Sequence, residues 1–135
     1  MEHTPRILVV QATVLECERI TALAADSRAR AEFVETPGEA LKRLASRNDF
    51  DAVFMGIETP NQEYCQILEA VRHHRPPTAV VVISPVDDVA FYLTCLREGV
   101  FDYIPRPVDW KEFQRIYDLT LHRPQASAAA KAQTA

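Results

Sequence analysis

The chain has 135 residues, 47% of them apolar and 25% charged, which is ordinary globular usage and suits one domain with a core of its own. A net charge of −4 argues against a nucleic-acid contact by this domain, which would need a basic face. The longest apolar runs, such as AVVVI at 79–83, are far too short to cross a bilayer, and the opening MEHTPR lacks the apolar stretch of a signal peptide, so a cytoplasmic protein with no membrane contact is expected.

RILVV (6–10), apolar from Ile7 onward, reads as the first strand; AEFVE (31–35), of mixed character, reads as the second. Pro37-Gly38 opens the second helix. AVFM (52–55) is the third strand and runs into a turn at Gly56, with Pro60 beyond it. Tyr64, Ile67, Leu68 and Val71 then recur at i, i+3, i+4 and i+7, a helix that Pro76-Pro77 ends. AVVVI (79–83) is the fourth strand and DYI (102–104) the fifth. Asp109 is placed to cap a last helix carrying Phe113, Ile116 and Tyr117 on one side. The tail PQASAAAKAQTA has no large apolar residue and reads as a flexible Ala-rich linker over 123–135.

Apolar strands without alternation are covered on both faces, which implies a parallel sheet. Fivefold strand–helix alternation predicts an α/β domain over 1–122, doubly wound, with three layers α/β/α. The order of its strands is not legible in the pattern. Cys17, Cys65 and Cys95 are odd in number and widely spaced, which excludes a disulfide framework and a zinc site. They are expected to be small buried hydrophobes in a reducing compartment, with a redox-sensing thiol as the alternative. His73 and His74 are adjacent, so on a helix they point about 100° apart and do not share a metal; complementing a helix C-terminus is the expectation.

In an open α/β sheet, ligands bind at the carboxyl ends of the strands. Those ends carry Gln11, Ala12 and Thr13; Gly56 and Glu58; Ser84; and Arg106-Pro107. Four stretches, ILVV, FDAVFMGIETP, VVVIS and REGVFDYIPRP, in this order, resemble the receiver domain of two-component response regulators over about residues 5–122. The resemblance implies a flavodoxin-like sheet of order 2-1-3-4-5. It also implies phosphoryl transfer to an aspartate beside Mg²⁺ held by an acidic pair, with a hydroxyl and a lysine binding the transferred group. Carried onto this chain, the acceptor position is Gly56, the acidic pair is Gln11 and Ala12, the hydroxyl is Ser84, and the lysine is Arg106. Tyr103 matches the aromatic that reports the pocket's state.

Glycine cannot form an acyl phosphate, and Mg²⁺ wants charged oxygens, so a degenerate receiver without metal or other cofactor is expected. Asp51 lies at the wrong end of its strand to substitute; Asp87 and Asp88 read as the start of a helix. Glu58 is placed either to pair with Arg106 inside the emptied pocket or to lie solvated on its loop.

Three functions compete. The preferred one is a phosphorylation-independent binding module, the regulatory domain of a transcriptional or other regulator. Its partner is another protein, a covalently linked output domain or a second copy. The family's docking face, built from the fourth helix, fifth strand and fifth helix, would carry Arg97, Glu98, Asp102, Tyr103, Trp110 and Arg115. The alternative is a sensor of small anions that uses Arg106, Ser84 and Thr13. A flavodoxin-like enzyme is disfavoured, because QATVLE lacks a phosphate cradle and no nucleophile–base pair is evident.

Overall fold

The computed structural model describes residues 4–47, 49–58, 62–72, 74, 77–85 and 88–121. The expectations attached to Pro60, His73, Pro76, Asp87 and the tail at 123–135 lie outside the described residues. Strands and helices alternate in the expected order: β1 (Arg6–Val10), α1 (Val14–Ser27), β2 (Arg30–Val34), α2 (Pro37–Ser46), β3 (Ala52–Gly56), α3 (Gln62–Arg72), β4 (Ala79–Ser84), α4 (Val89–Arg97), β5 (Asp102–Pro105) and α5 (Trp110–Leu121). All five strands are parallel and lie in the order β2-β1-β3-β4-β5. The sheet is that of a flavodoxin-like domain.

Side-chain caps start α1, α2, α4 and α5, and at α2, α4 and α5 they lie where the sequence places them. Thr13 and Glu16 form a reciprocal capping box on α1: the Glu16 amide donates to Thr13 Oγ1 (3.1 Å), and the Thr13 amide donates to Glu16 Oε1 (2.9 Å). Thr36 caps α2 ahead of Pro37. Asp88 accepts from the Ala90 amide (2.8 Å) at the start of α4, and Asp109 accepts from the Lys111 amide (3.0 Å) at α5. Beyond the C-terminal end of α4, Gly99 adopts φ 101°, a left-handed conformation that glycine takes without a Cβ penalty.

β3 and β4 are buried along their whole length because helices cover both sides. On one side Leu8, Val53, Val80 and Val82 meet α2, α3 and α4. On the other, Ile7, Phe54, Val81 and Ile83 meet α1 and α5. There the Phe54 ring packs on Phe113 (centroids 5.3 Å apart) and Tyr117 (6.0 Å). The Tyr117 hydroxyl is 2.8 Å from Ser27 Oγ and so ties α5 to α1.

Two expectations need correction. Cys95 is buried and Cys17 half-buried, but Cys65 is exposed, because the apolar stripe of α3 through Tyr64, Leu68 and Val71 leaves it on the outer side. His74 does more than neutralise a helix end. It is buried, and its Nδ1 lies 3.1 Å from Thr78 Oγ1, which itself donates to the Phe50 carbonyl (2.8 Å). Thr78's proton is thus committed, so His74 Nδ1 is the donor in that pair.

The Phe54 cluster carries much of the α5 attachment. Phe54→Ala is expected to cost about 3–5 kcal/mol in a denaturant titration. Leu119→Ala, at an exposed position of α5, should stay within about 0.5 kcal/mol.

Candidate functional site

The C-terminal rim of the sheet is organised around Arg106, in the turn after β5. Its amide donates to the Ser84 carbonyl at the end of β4 (3.0 Å), which fixes the backbone from which the side chain departs. The guanidinium crosses the strand ends toward α1. Nε donates to Glu16 Oε2 and Nη2 to Glu16 Oε1, both at 2.9 Å, a two-pronged contact that matches the planar fork to the carboxylate. Nη2 also lies 3.4 Å from the Gln11 carbonyl oxygen, and Nη1 donates to Glu58 Oε1 at 3.3 Å. The two partners differ in kind. The Arg106 and Glu16 side chains are 13% and 6% exposed, whereas Glu58 is 79% exposed.

Gly56 lies under this bridge. A Cβ added there would fall 2.5 Å from the Gln11 carbonyl oxygen and 2.7 Å from Arg106 Nη2. Gln11 itself has φ 54°, left-handed for a residue with a side chain, and its amide donates to Val34 (3.1 Å). Glycine at 56 is therefore the residue that lets the Gln11 backbone and the Arg106 guanidinium close over the end of β3. A hollow of about 130 Å³ remains beside it, with Glu58 and Glu63 at its rim.

Glu58 combines the two placements expected for it, since it reaches Arg106 yet stays largely in water, whereas Glu16, the principal partner, was not among the expected site residues. Thr13-x-x-Glu16, a capping-box spacing, was the available signal, but it announces only a helix start. Burial works to raise the Glu16 carboxyl; the Arg106 guanidinium and the Thr13 amide outweigh it and hold the group below its ordinary value. The hydrogen bonds to Glu16 hold Arg106 above its own.

Gln11, Gly56 and Arg106 thus meet, and Ser84 lies fully buried at the adjoining end of β4. These groups do not fit a Mg²⁺ ion: the oxygen nearest the end of β3 is the neutral Gln11 carbonyl, the Arg106 guanidinium stands beside it, and the Glu16 carboxylate is bound to that guanidinium. Among the described residues, no group of three or more His, Cys, Asp or Glu is arranged to hold a metal.

Tyr103 stands half-buried at the rim, edge-on to Phe91 (5.8 Å) and Tyr92 (5.7 Å) of α4. Its amide donates to Asp102 Oδ1 (2.7 Å). Arg97 is exposed in the last turn of α4, and Arg115 pairs along α5 with Glu112. Trp110 is turned elsewhere: it packs on Phe113 (5.0 Å) beneath Arg19 of α1 (5.4 Å). Not foreshadowed in the sequence is the outer side of α4, where Val89, Tyr92, Leu93 and Leu96 are all exposed at i, i+3, i+4 and i+7. A groove of about 500 Å³ adjoins them, lined by Tyr92, Tyr103, Pro105 and Arg106 among others.

The family model of the response regulator receiver domain matches residues 7–118. The chain belongs to that family. Receiver domains are signalling domains of two-component systems. Among curated relatives, this one is 27% identical over 78 residues to the DNA-binding transcriptional regulator NtrC of Escherichia coli, covering 58% of this chain and 16% of that protein. It is 31% identical over 86 residues to the response regulator protein PmrA of Pseudomonas aeruginosa, covering 63% of this chain and 39% of that protein. The receiver domain therefore spans well under half the length of these relatives. Solved structures share its fold. The non-phosphorylated HemR receiver domain of Leptospira biflexa has a TM-score of 0.73 at 23% identity, with 90% of this chain and 98% of that one covered. The receiver domain of a putative LuxO repressor protein from Vibrio parahaemolyticus has a TM-score of 0.77 at 17% identity, with 95% and 98% covered. Among the described residues, no helix of this receiver domain is long and apolar enough to cross a membrane.

Glu16→Gln is expected to destabilise the fold by about 3 kcal/mol, because it leaves Arg106 largely buried without its counter-charge. Glu58→Gln should change stability by less than about 0.5 kcal/mol. Glu16's lowered folded-state pKa means that the pair contributes fully above pH 4.5, the unfolded value, and loses its contribution as pH falls through the folded one. Denaturant titrations of the wild type should therefore weaken below pH 4.5 more steeply than those of Glu16→Gln. Gly56→Ala, which sets a methyl group against Gln11 and Arg106, is expected to cost about 1–3 kcal/mol in the same assay.

Proposed function

We propose that this receiver domain has replaced acyl-phosphate chemistry with an internal ion pair and signals by phosphorylation-independent contact with other proteins. The observation that carries the reading is the seat of Arg106. Its guanidinium, neutralised by Glu16, lies where a side chain on residue 56 would have to stand. In the family resemblance that position belongs to the acceptor aspartate and its metal. Here one cation and one buried carboxylate balance each other's charge, and no incoming phosphoryl group is needed to do so.

With no phosphoryl trigger, output rests on surface. Val89, Tyr92, Leu93 and Leu96 form an outward apolar stripe on α4, continuous with the groove at Tyr103, and the charges around it, Arg97, Glu98 and Asp102, are of both signs. Such a face suits a linked output domain or a transient partner, a second copy included. NtrC is a DNA-binding transcriptional regulator and PmrA a response regulator. By analogy the proposed role is regulatory, in a transcriptional regulator. A receiver domain is also crystallised with the phosphotransfer protein Ypd1, as part of the yeast regulator Ssk1. Anion sensing at Arg106 and Ser84 is the weaker reading, since Glu16 already takes two of the guanidinium's donors and Ser84 is fully buried.

Incubation with acetyl phosphate and Mg²⁺, read by intact mass, is expected to leave the protein unmodified. A stable aspartyl phosphate would overturn the proposal.

A further inference from the structure

The two faces of the sheet are covered unequally. Among the described residues, three helices, α2, α3 and α4, lie over one face, and two, α1 and α5, over the other. On the two-helix side, edge strand β2 extends beyond α1. Its Phe33 is in register with Val9, whose side chain packs on that side, yet Phe33 is 37% exposed. Val14, in the first turn of α1, is 77% exposed. Between them runs a groove of about 800 Å³, walled by Val14, Cys17, Glu18 and Thr21 on α1 and by Phe33 and Glu35 across from it. The α1 residues follow i, i+3, i+4 and i+7, so one flank of the helix borders the groove for about 10 Å. Its surface is mainly apolar, and its charged lining residues are Glu18 and Glu35, one on each wall.

We propose that this groove docks a cationic amphipathic helix of a partner protein. Shape argues for a helix: in an α/β layer, neighbouring helices pack side by side at about 8–10 Å on the sheet, and a helix laid beside α1 would cover β2 as α1 covers its own strands. The apolar side of that helix would take Val14 and Phe33 out of water. Charge sets the sign: Lys or Arg on its flanks meets Glu18 and Glu35, whereas an acidic helix is repelled, the more so by a chain of net charge −4. A second copy is the poorer occupant, because a two-fold contact would set this acidic rim against itself. The groove lies across the sheet from α4, so the domain can hold this helix and a partner on α4 at once. The proposal is independent of the phosphorylation reading.

The test uses the full chain carrying Cys65→Ser, so that the half-buried Cys17 in the groove wall is the accessible reporter thiol among the described residues. The probe is a synthetic helical peptide of leucine and lysine at amphipathic spacing, with a leucine–glutamate peptide as control. The lysine peptide is expected to bind in fluorescence anisotropy and to slow maleimide labelling of Cys17. Glu18→Lys and Phe33→Asp should each weaken it at least about tenfold, with thermal melts confirming that both variants fold. Glu69→Lys, the same charge change on α3, should leave binding within about twofold. The proposal is overturned if the lysine peptide fails to bind, if the glutamate peptide binds as well, or if Cys17 labelling is unprotected. It is also overturned if Glu69→Lys weakens binding as much as Glu18→Lys, which would mark diffuse attraction. Self-association of the chain that Phe33→Asp abolishes would assign the groove to a second copy instead.

Discussion

The rim of this domain depends on one ion pair, Arg106 with Glu16, closed over a residue that has no side chain. Largely buried charges are tolerable only when paired and hydrogen-bonded, and here almost every neighbouring group contributes to that. Glu16 takes two guanidinium donors and the Thr13 amide; Gln11 turns left-handed and lays its carbonyl near Arg106; Ser84 anchors the arginine's backbone. The pair ties the start of α1 to the turn after β5 across the end of β3. Its members hold each other in place, so the geometry at residue 56 follows from the charge balance as much as from the strand.

That arrangement bears on how the domain signals. On the proposed reading, a pocket whose cation is already matched by a carboxylate has little electrostatic appetite for an incoming anion, and the guanidinium stands where a side chain on residue 56 would project. On that reading, communication falls to the outer surface. α4 is apolar on two sides: Phe91 and Cys95 point inward, while Val89, Tyr92, Leu93 and Leu96 face water. Keeping those four in water is unfavourable, and the natural relief is a partner. The proposed groove beside α1 is a second such place, because among the described residues two helices cover one face of the sheet and three the other.

Much of the fold was legible because it rests on local pattern. Continuous apolar runs marked β1, β3 and β4 almost to the residue, and Pro37 and Asp109 marked helix starts that the capping contacts bear out. β2 was misplaced by one residue, since its mixed composition belongs to an edge strand that pairs along one side and is less deeply buried. The site was legible only in part. Gln11, Gly56, Ser84 and Arg106 were found from their places at strand ends, which topology brings together in any parallel sheet of this kind. Glu16 was missed because its local role, closing a capping box, fully accounts for it in sequence. The outer stripe of α4 was missed because a short helix with apolar residues on both sides carries no mark of which side is inward. Trp110, expected on the docking face, instead lies against Arg19, a contact set by how α5 and α1 settle on the sheet.

By itself, then, the sequence determined the number, type and order of the elements and the absence of a side chain at position 56, since these depend on residue type and on spacing along the chain. Only the tertiary structure decided which carboxylate meets Arg106, why glycine suits position 56, and which apolar side chains are left in water. Those depend on the approach of segments far apart in the chain, such as Glu16 and Arg106, which are 90 residues apart, and no short-range pattern encodes that distance.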